Sequence, residues 1–380
     1  MAHAPAAEET LVARARAIGP IIRSHAAATE REGVVVPDVI AAMVEARLFD
    51  AYRPAELGGL DADAATLVEL VEEVARHDGS TGWCLGMAGI IGGLAGSRLP
   101  DEGAAEVFDT RGTVLCAGGF VPRLRASPTT GGYRISGRFP FASGCRFAAW
   151  LVVTGMVEGV AGPAAMRTFC VRREEARILD NWHVAGLEGT ASNDLEFDEV
   201  PVPETRSFAS LTSRALRGGP FWRLPVLSAA AVGHLGFALG AGRRALDEIA
   251  DYAGTQRFAS SAPIAERPVF QRDFARAHTA LRAARLAAFE SLERVVAAGA
   301  SATPTLRAEL TAALVHAYQT ATAGAEFAFR AGGASSLYRE GTLQRCFRDL
   351  QAGSQHVVAS DEGFERAGQV LLGLDPPGFL

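Results

Sequence analysis

Residues 131–145 read GGYRISGRFPFASGC. A glycine pair opens the stretch. Aromatic and β-branched residues then alternate with polar ones, and Pro140 and Gly144 break the run, which is a strand-and-hairpin signal. The same texture extends outward in both directions. WLVVTGMV at 150–157 and RTFCVRR at 167–173 are further short strand-like runs, and Gly, Pro and Asn punctuate the chain from about 112 to 208. This spacing predicts an all-β segment.

On either side the period changes from two to between three and four. Upstream, 11–28 and 37–46 carry apolar residues at helical spacing, with Pro37 suited to a first helical turn. Gly58-Gly59 marks a turn, 67–75 reads as an amphipathic helix, and a further helix is expected over 81–94 despite its glycines. Downstream, 230–253, 271–298 and 306–331 are long, alanine-rich and periodic. A last helix is expected over 343–359, before a tail containing Pro376-Pro377. Long helices with short connections suggest a bundle. The expected organisation is α+β: an N-terminal helical domain (1–112), a central β domain (113–212) and a C-terminal helical bundle (213–380).

Composition removes several classes of function. Hydrophobic residues at 48% and charged residues at 21% match a globular chain with a large core. A formal net charge of -6 gives no electrostatic reason to bind nucleic acid or an anionic membrane. The N-terminus lacks the basic and apolar regions of a signal peptide, and no run approaches the ~20 apolar residues of a membrane span. Cys84, Cys116, Cys145, Cys170 and Cys346 are odd in number and far apart, so neither a disulfide framework nor a zinc site is expected, and a cytoplasmic location fits. The histidines form no metal spacing. His3, His25, His77, His183, His234, His278 and His316 read as surface or core residues. GIIGG at 89–93 lacks a preceding strand, which makes a dinucleotide loop a weak reading.

Three separated stretches carry a resemblance: GGYRISGRFPFASGC at 131–145, NWHVAGLEGTASND at 181–194 followed by VPVPE at 200–204, and GGASSLYREGTLQRCFRDLQAGSQH at 332–356. Their order and content resemble the acyl-CoA dehydrogenase fold. That resemblance implies an N-terminal helical domain, a central β-barrel and a C-terminal four-helix bundle, assembled as a homotetramer. The flavin would lie between barrel and bundle, touched by a neighbouring subunit. In dehydrogenases of this fold a glutamate in a Glu-Gly-Thr context follows the Arg-Asp pair. Here the stretch after Arg348-Asp349 is QAGSQHVVAS, without a carboxylate, while Glu340-Gly341-Thr342 precedes the pair. Arg348 to His356 instead resembles the flavin-dependent monooxygenases of this fold. These take reduced flavin (FADH2 or FMNH2) from a separate NAD(P)H flavin reductase and react it with O2. They pass one oxygen atom to a small-molecule substrate through a flavin hydroperoxide. A dehydrogenase or desaturase with a relocated base, and a non-catalytic homologue, stay open as alternatives.

The chemistry requires a dry pocket with few, oriented polar groups. His356 is the first catalytic candidate, since its ordinary pKa of ~6.5 lets it donate a proton or hydrogen bond near neutrality. A helix histidine packed at a subunit contact would look the same. Ser143 is the second; the resemblance puts its hydroxyl at the flavin ring, although Ser before Gly is also an ordinary turn. By the same resemblance Trp182 packs on the flavin, Arg257 reaches its phosphate, Gly332 and Gly333 belong to the cofactor site, and Trp83 lines the substrate pocket. Arg348-Asp349 is expected to be a salt-bridged structural pair near the site. Some phenol hydroxylases of this type carry a histidine after the tryptophan. Residues 88–96 have none, which favours an electron-rich ring such as indole, a polyketide, or an amine or sulfur centre over a simple phenol.

Overall fold

The computed structural model describes residues 10–108, 112–255 and 263–374. Five helices come first: α1 (Leu11–Glu32), α2 (Pro37–Glu45), α3 (Ala64–Ala75), α4 (Gly79–Arg98) and α5 (Asp101–Val107). Eight strands follow: β1 (Cys116–Gly118), β2 (Leu124–Thr129), β3 (Gly132–Phe139), β4 (Trp150–Val157), β5 (Met166–Arg172), β6 (Arg177–Ile178), β7 (Leu195–Pro203) and β8 (Ser207–Ala209). Five more helices close the chain: α6 (Val226–Thr255), α7 (Pro268–Ala298), α8 (Pro304–Ala331), α9 (Thr342–Gly353) and α10 (Asp361–Leu371). The changes of period near 112 and 213 therefore coincide with the changes of secondary structure.

The strands form one mixed sheet in the order β6-β7-β3-β2-β4-β5-β8, with β1 paired in parallel to β4. β4 is nearly continuously apolar because both its faces are covered. Period-two alternation sends Leu151 and Val153 into the sheet's own core, and sends Trp150 and Val152 against Ile91, Ala95 and Phe108 of the helical layer. The β3–β7 ladder slips between Ile135 and Gly137, where Gly137 takes φ +124°.

The two helical segments are not separate packing units. One core runs from Ala15 through α3, α4, α6 and α8 to Ala359. α6 is its centre, packed by α3, α4, α8 and α9. Leu67, Leu70 and Phe237 are wholly buried in it, and each such burial is worth about 1.5–3 kcal/mol. The glycines of α4 mark close approach. A Cβ on Gly86 would lie 3.0 Å from the Cα of Gly233 on α6. That backbone contact sets Trp83 of α4 against His234 of α6.

The last expected helix, 343–359, is broken. α9 ends at Gly353, and His356 stands in a turn as the N-cap of a 3-10 helix over Val357–Ala359. Gly353 must be small, because a Cβ there would come within 2.5 Å of the Phe237 ring. Glycine followed by Ser354 and two β-branched valines is a poor helix continuation. Among the described residues no helix is long and apolar enough to cross a membrane.

Candidate active site

A cavity of about 1060 Å³ opens where the sheet's loops meet α4, α6 and the α9–α10 turn. Trp83, Ser143, Trp182, Arg348 and His356 all line it. Gly332 and Gly333, at the end of α8, do not. Arg257 lies outside the described residues. Among the described residues the titratable side chains at its wall are His234, His356, Arg123 and Arg348, and no carboxylate is among them. Glu340 is exposed before α9 and plays no part in the wall. No group of three or more described His, Cys, Asp or Glu side chains could hold a metal ion.

The sheet side of the cavity carries a chain of hydroxyls. Trp83 Nε1 donates to Ser143 Oγ at 3.0 Å; Ser143 Oγ and Ser192 Oγ are 2.7 Å apart; Ser192 Oγ and Thr190 Oγ1 are 2.6 Å apart. Thr190 Oγ1 donates to the carbonyl of Leu187 at 2.8 Å. Each hydroxyl owns one hydrogen, so the last bond fixes all the others. Thr190 spends its hydrogen on Leu187, Ser192 on Thr190 and Ser143 on Ser192. Ser143 Oγ is left with an unused lone pair and no hydrogen to offer. Ser143 is buried at 7% exposure and sits between Phe141 and Gly144, which both take positive φ (61° and 79°) in the tight turn after β3.

Leu187 ties this wall to α9. Its carbonyl also accepts from Trp182 Nε1 at 3.2 Å, and its N–H donates to Asp349 Oδ1 at 2.6 Å. Arg348 and Asp349 are therefore not paired with each other, as the sequence suggested. They hold the same 185–188 loop through different partners. Arg348 binds Glu30, Glu188 at 2.7 Å and the carbonyl of Ala185 at 3.0 Å. Asp349 lies under the start of α4, where a Cβ on Gly79 would be 2.7 Å from its carboxylate. Burial, with Asp78 nearby, pushes Asp349 up to about 7. Burial alone would raise Glu30, but hydrogen bonds from Arg348 and Arg345 outweigh it and hold the carboxyl below its ordinary range. The two residues hold the loop before Glu188 and the helical layer by separate sets of bonds.

The helical side of the cavity holds two imidazoles. His356 and His234 have ring centroids 4.3 Å apart, tilted at 43°, and Trp83 packs edge-on to His234 at 5.2 Å. His356 Nδ1 accepts from the N–H of Val358 at 3.4 Å. His234 Nδ1 is 2.8 Å from Tyr318 Oη. Burial holds His356 down to about 4. Burial and the neighbouring His356 hold His234 well below its ordinary value. Both rings are neutral at pH 7. His234, Tyr318, Ser192 and Thr190 were not singled out from sequence. A lone histidine in the apolar run of α6 was the available signal for His234, and TASND inside the second quoted stretch was the signal for the hydroxyls.

Residues 8–97 match the acyl-CoA dehydrogenase N-terminal domain and residues 232–361 the acyl-CoA dehydrogenase C-terminal domain. The chain is 33% identical to the indole-3-acetate monooxygenase of Pseudomonas putida, over 92% of this chain and 91% of that one. It is 30% identical to the FADH2-dependent resorcinol hydroxylase oxygenase component of a Rhizobium species, over 100% and 99%. The crystal structure of 3-HSA hydroxylase from a Rhodococcus species superposes with a TM-score of 0.90 at 25% identity, covering 98% of each chain. A wall without a carboxylate base, two neutral histidines and this kinship agree: the chain belongs to the flavin-dependent monooxygenases of the acyl-CoA dehydrogenase fold, as an oxygenase component supplied with reduced flavin.

Proposed function

We propose that this oxygenase inserts one atom of O2 into an electron-rich aromatic substrate of indole type, with Ser143 and His356 as the groups that face the reacting centre. The directed hydroxyl chain carries this reading. Reduced flavin, when bound, supplies the electrons that activate O2. Its ring carries an N–H donor that the oxidised ring lacks, and Ser143 Oγ is held as an acceptor by Ser192 and Thr190. That is a fit to the reduced cofactor. Trp182 and the half-turn at Phe141 offer apolar surface for the ring. His356, with Nδ1 occupied by Val358, offers Nε2–H as a donor that needs no charge. The remaining wall, including Met87, Ile90, Ile91 and Phe120, excludes water.

The ring class follows from chemistry at the wall. Residues 88–96 after Trp83 carry no histidine, and His234 and His356 beside it have Nδ1 engaged by Tyr318 and Val358, so a ring already rich in electrons is the better substrate. The 33% identity to an indole-3-acetate monooxygenase supports the same class. A cavity of about 1060 Å³ exceeds the ~300–1,000 Å³ typical of one drug-sized ligand, which leaves room for a ring beside the cofactor.

In this reading the sheet closes toward a barrel, α6 to α9 form the four-helix bundle, and four chains assemble as a homotetramer in the cytoplasm. Close packing of α6 with α8 and α9, and of α7 with α8, supports the bundle. Leu286, Val269, Leu337 and Tyr338 are exposed on that side and available for subunit contact. Gly332 and Gly333 would then serve a neighbour's cofactor. Light scattering with a stable monomer at micromolar concentration would remove this part. The reaction itself is tested by supplying reduced FAD or FMN, 18O2 and indole-3-acetate. One 18O atom per product molecule is expected; product labelled only from water would end the proposal.

A further inference from the structure

On α4, Trp83, Met87 and Ile90 face the cavity at helical spacing; on α6, Val226, Ala230 and His234 do the same. His234 is the one titratable group in these two stripes. It is 1% exposed, and yet its Nε2 has no protein partner among the described residues. A core histidine kept only for packing would have both nitrogens satisfied or lie away from the cavity.

Tyr318 decides which nitrogen carries the proton. Its hydroxyl is buried at 1% exposure, and His234 Nδ1 is its single hydrogen-bond partner among the described residues. A buried phenol O–H without an acceptor is costly, so it donates to Nδ1. The one proton of the neutral ring then sits on Nε2. His356 reaches the same state by another route, through the N–H of Val358. Two uncharged Nε2–H groups thus come from one patch of wall, on rings 4.3 Å apart. We propose that His234, set by Tyr318, is a specificity-determining residue whose Nε2–H takes an oxygen of the substrate. The substrate class is therefore an aromatic ring carrying an oxygen acceptor, with its apolar body along the Trp83–Met87–Ile90 stripe. The proposal rests on the aromatic reading above.

The discriminating variants are His234→Gln, which keeps a donor near the Nε2 position, and His234→Asn, which keeps one only near Nδ1. Indole-3-acetate and 3-ethylindole carry the same ring with and without the acceptor. Calorimetry on the flavin-free protein is expected to give about tenfold weaker binding of indole-3-acetate to His234→Asn, the scale of one lost hydrogen bond to a charged oxygen. Binding of 3-ethylindole should be unchanged, and His234→Gln should stay near wild type for both. Equal losses for both probes, or His234→Gln as the damaged variant, would overturn the proposal. The tautomer is read without substrate, from 15N-histidine spectra assigned through His234→Gln. Nε2–H in wild type, partly lost in Tyr318→Phe, is expected, and Nδ1–H would overturn it. If neither probe binds wild type, the aromatic reading fails, and the tautomer alone decides whether His234 is a cavity donor.

Discussion

The two walls of the cavity are built on opposite plans. On the sheet side, Trp83, Ser143, Ser192, Thr190 and the Leu187 carbonyl satisfy one another in a fixed direction, leaving one lone pair toward the cavity. On the helical side, His234 and His356 are each anchored through Nδ1 and leave an N–H toward the cavity. One wall accepts and the other donates. A wall whose hydrogens are all committed suits a cofactor that is the same in every turnover. A wall with free donors suits the part of the chemistry that varies.

The sharpest way to break this contrast is His356→Ala. Product formation should fall by ~10²-fold or more, the usual scale for an acid–base group, while fold and flavin affinity stay near wild type. The ratio of product to released hydrogen peroxide measures it. A normal ratio with a lowered melting temperature would make His356 a packing residue and leave the sheet wall as the main candidate.

Ser143→Ala comes next, because it strands the Trp83 Nε1–H and takes away the hydrogen that Ser192 Oγ accepts. A buried donor left unpaired costs about 1–3 kcal/mol. Reduced flavin should bind at least tenfold more weakly, while oxidised flavin is little affected. Equal losses for both redox states would show that the direction of the hydroxyl chain is irrelevant.

A smaller effect separates the walls by pH. Asp349, which holds the sheet-side loop through Leu187, has its carboxyl raised to about 7 from an ordinary 3.8. A raised value stabilises the fold below the ordinary pKa, and that stability is lost as pH climbs from ~4 through ~7. The histidines act oppositely. Held down to about 4 for His356 and well below the ordinary value for His234, they stabilise the fold above pH ~6.5 and lose that contribution on acidification. Asp349→Asn should therefore remove a loss of melting temperature on going from pH 5 to 8, and a His234→Gln/His356→Gln double variant should remove a loss on going from 6.5 to 4. An unchanged slope in either variant would mean that the group does not titrate as its burial requires.

The smallest expected change is Trp182→Phe. It deletes the 3.2 Å bond to the Leu187 carbonyl but keeps the ring, and Thr190 still holds that carbonyl. Reduced-flavin affinity should fall two- to fivefold, about the cost of one neutral hydrogen bond. A loss as large as that of Ser143→Ala would make Trp182, rather than the hydroxyl chain, the organiser of the sheet wall.

The sequence by itself determined the succession of helices, strands and helices, because period and punctuation are local properties of the chain. It also offered Ser143, Trp182 and His356 from the quoted stretches and Trp83 by resemblance, and these four line one cavity. The rest depends on contacts between distant segments. Residue 353, the last of α9, must be glycine because Phe237 of α6 occupies the space a side chain would need, and that requirement cannot be read from 343–359 alone. Arg348 and Asp349 are neighbours in sequence but take different partners, one Glu30 and Glu188 and the other the N–H of Leu187. His234 looked like any buried histidine until the Gly86–Gly233 contact set it beside Trp83 and the packing of α8 on α6 set Tyr318 on its far nitrogen. Burial and hydrogen-bond direction, which decide what each polar group can still offer, arise only when segments from separate elements close on one another.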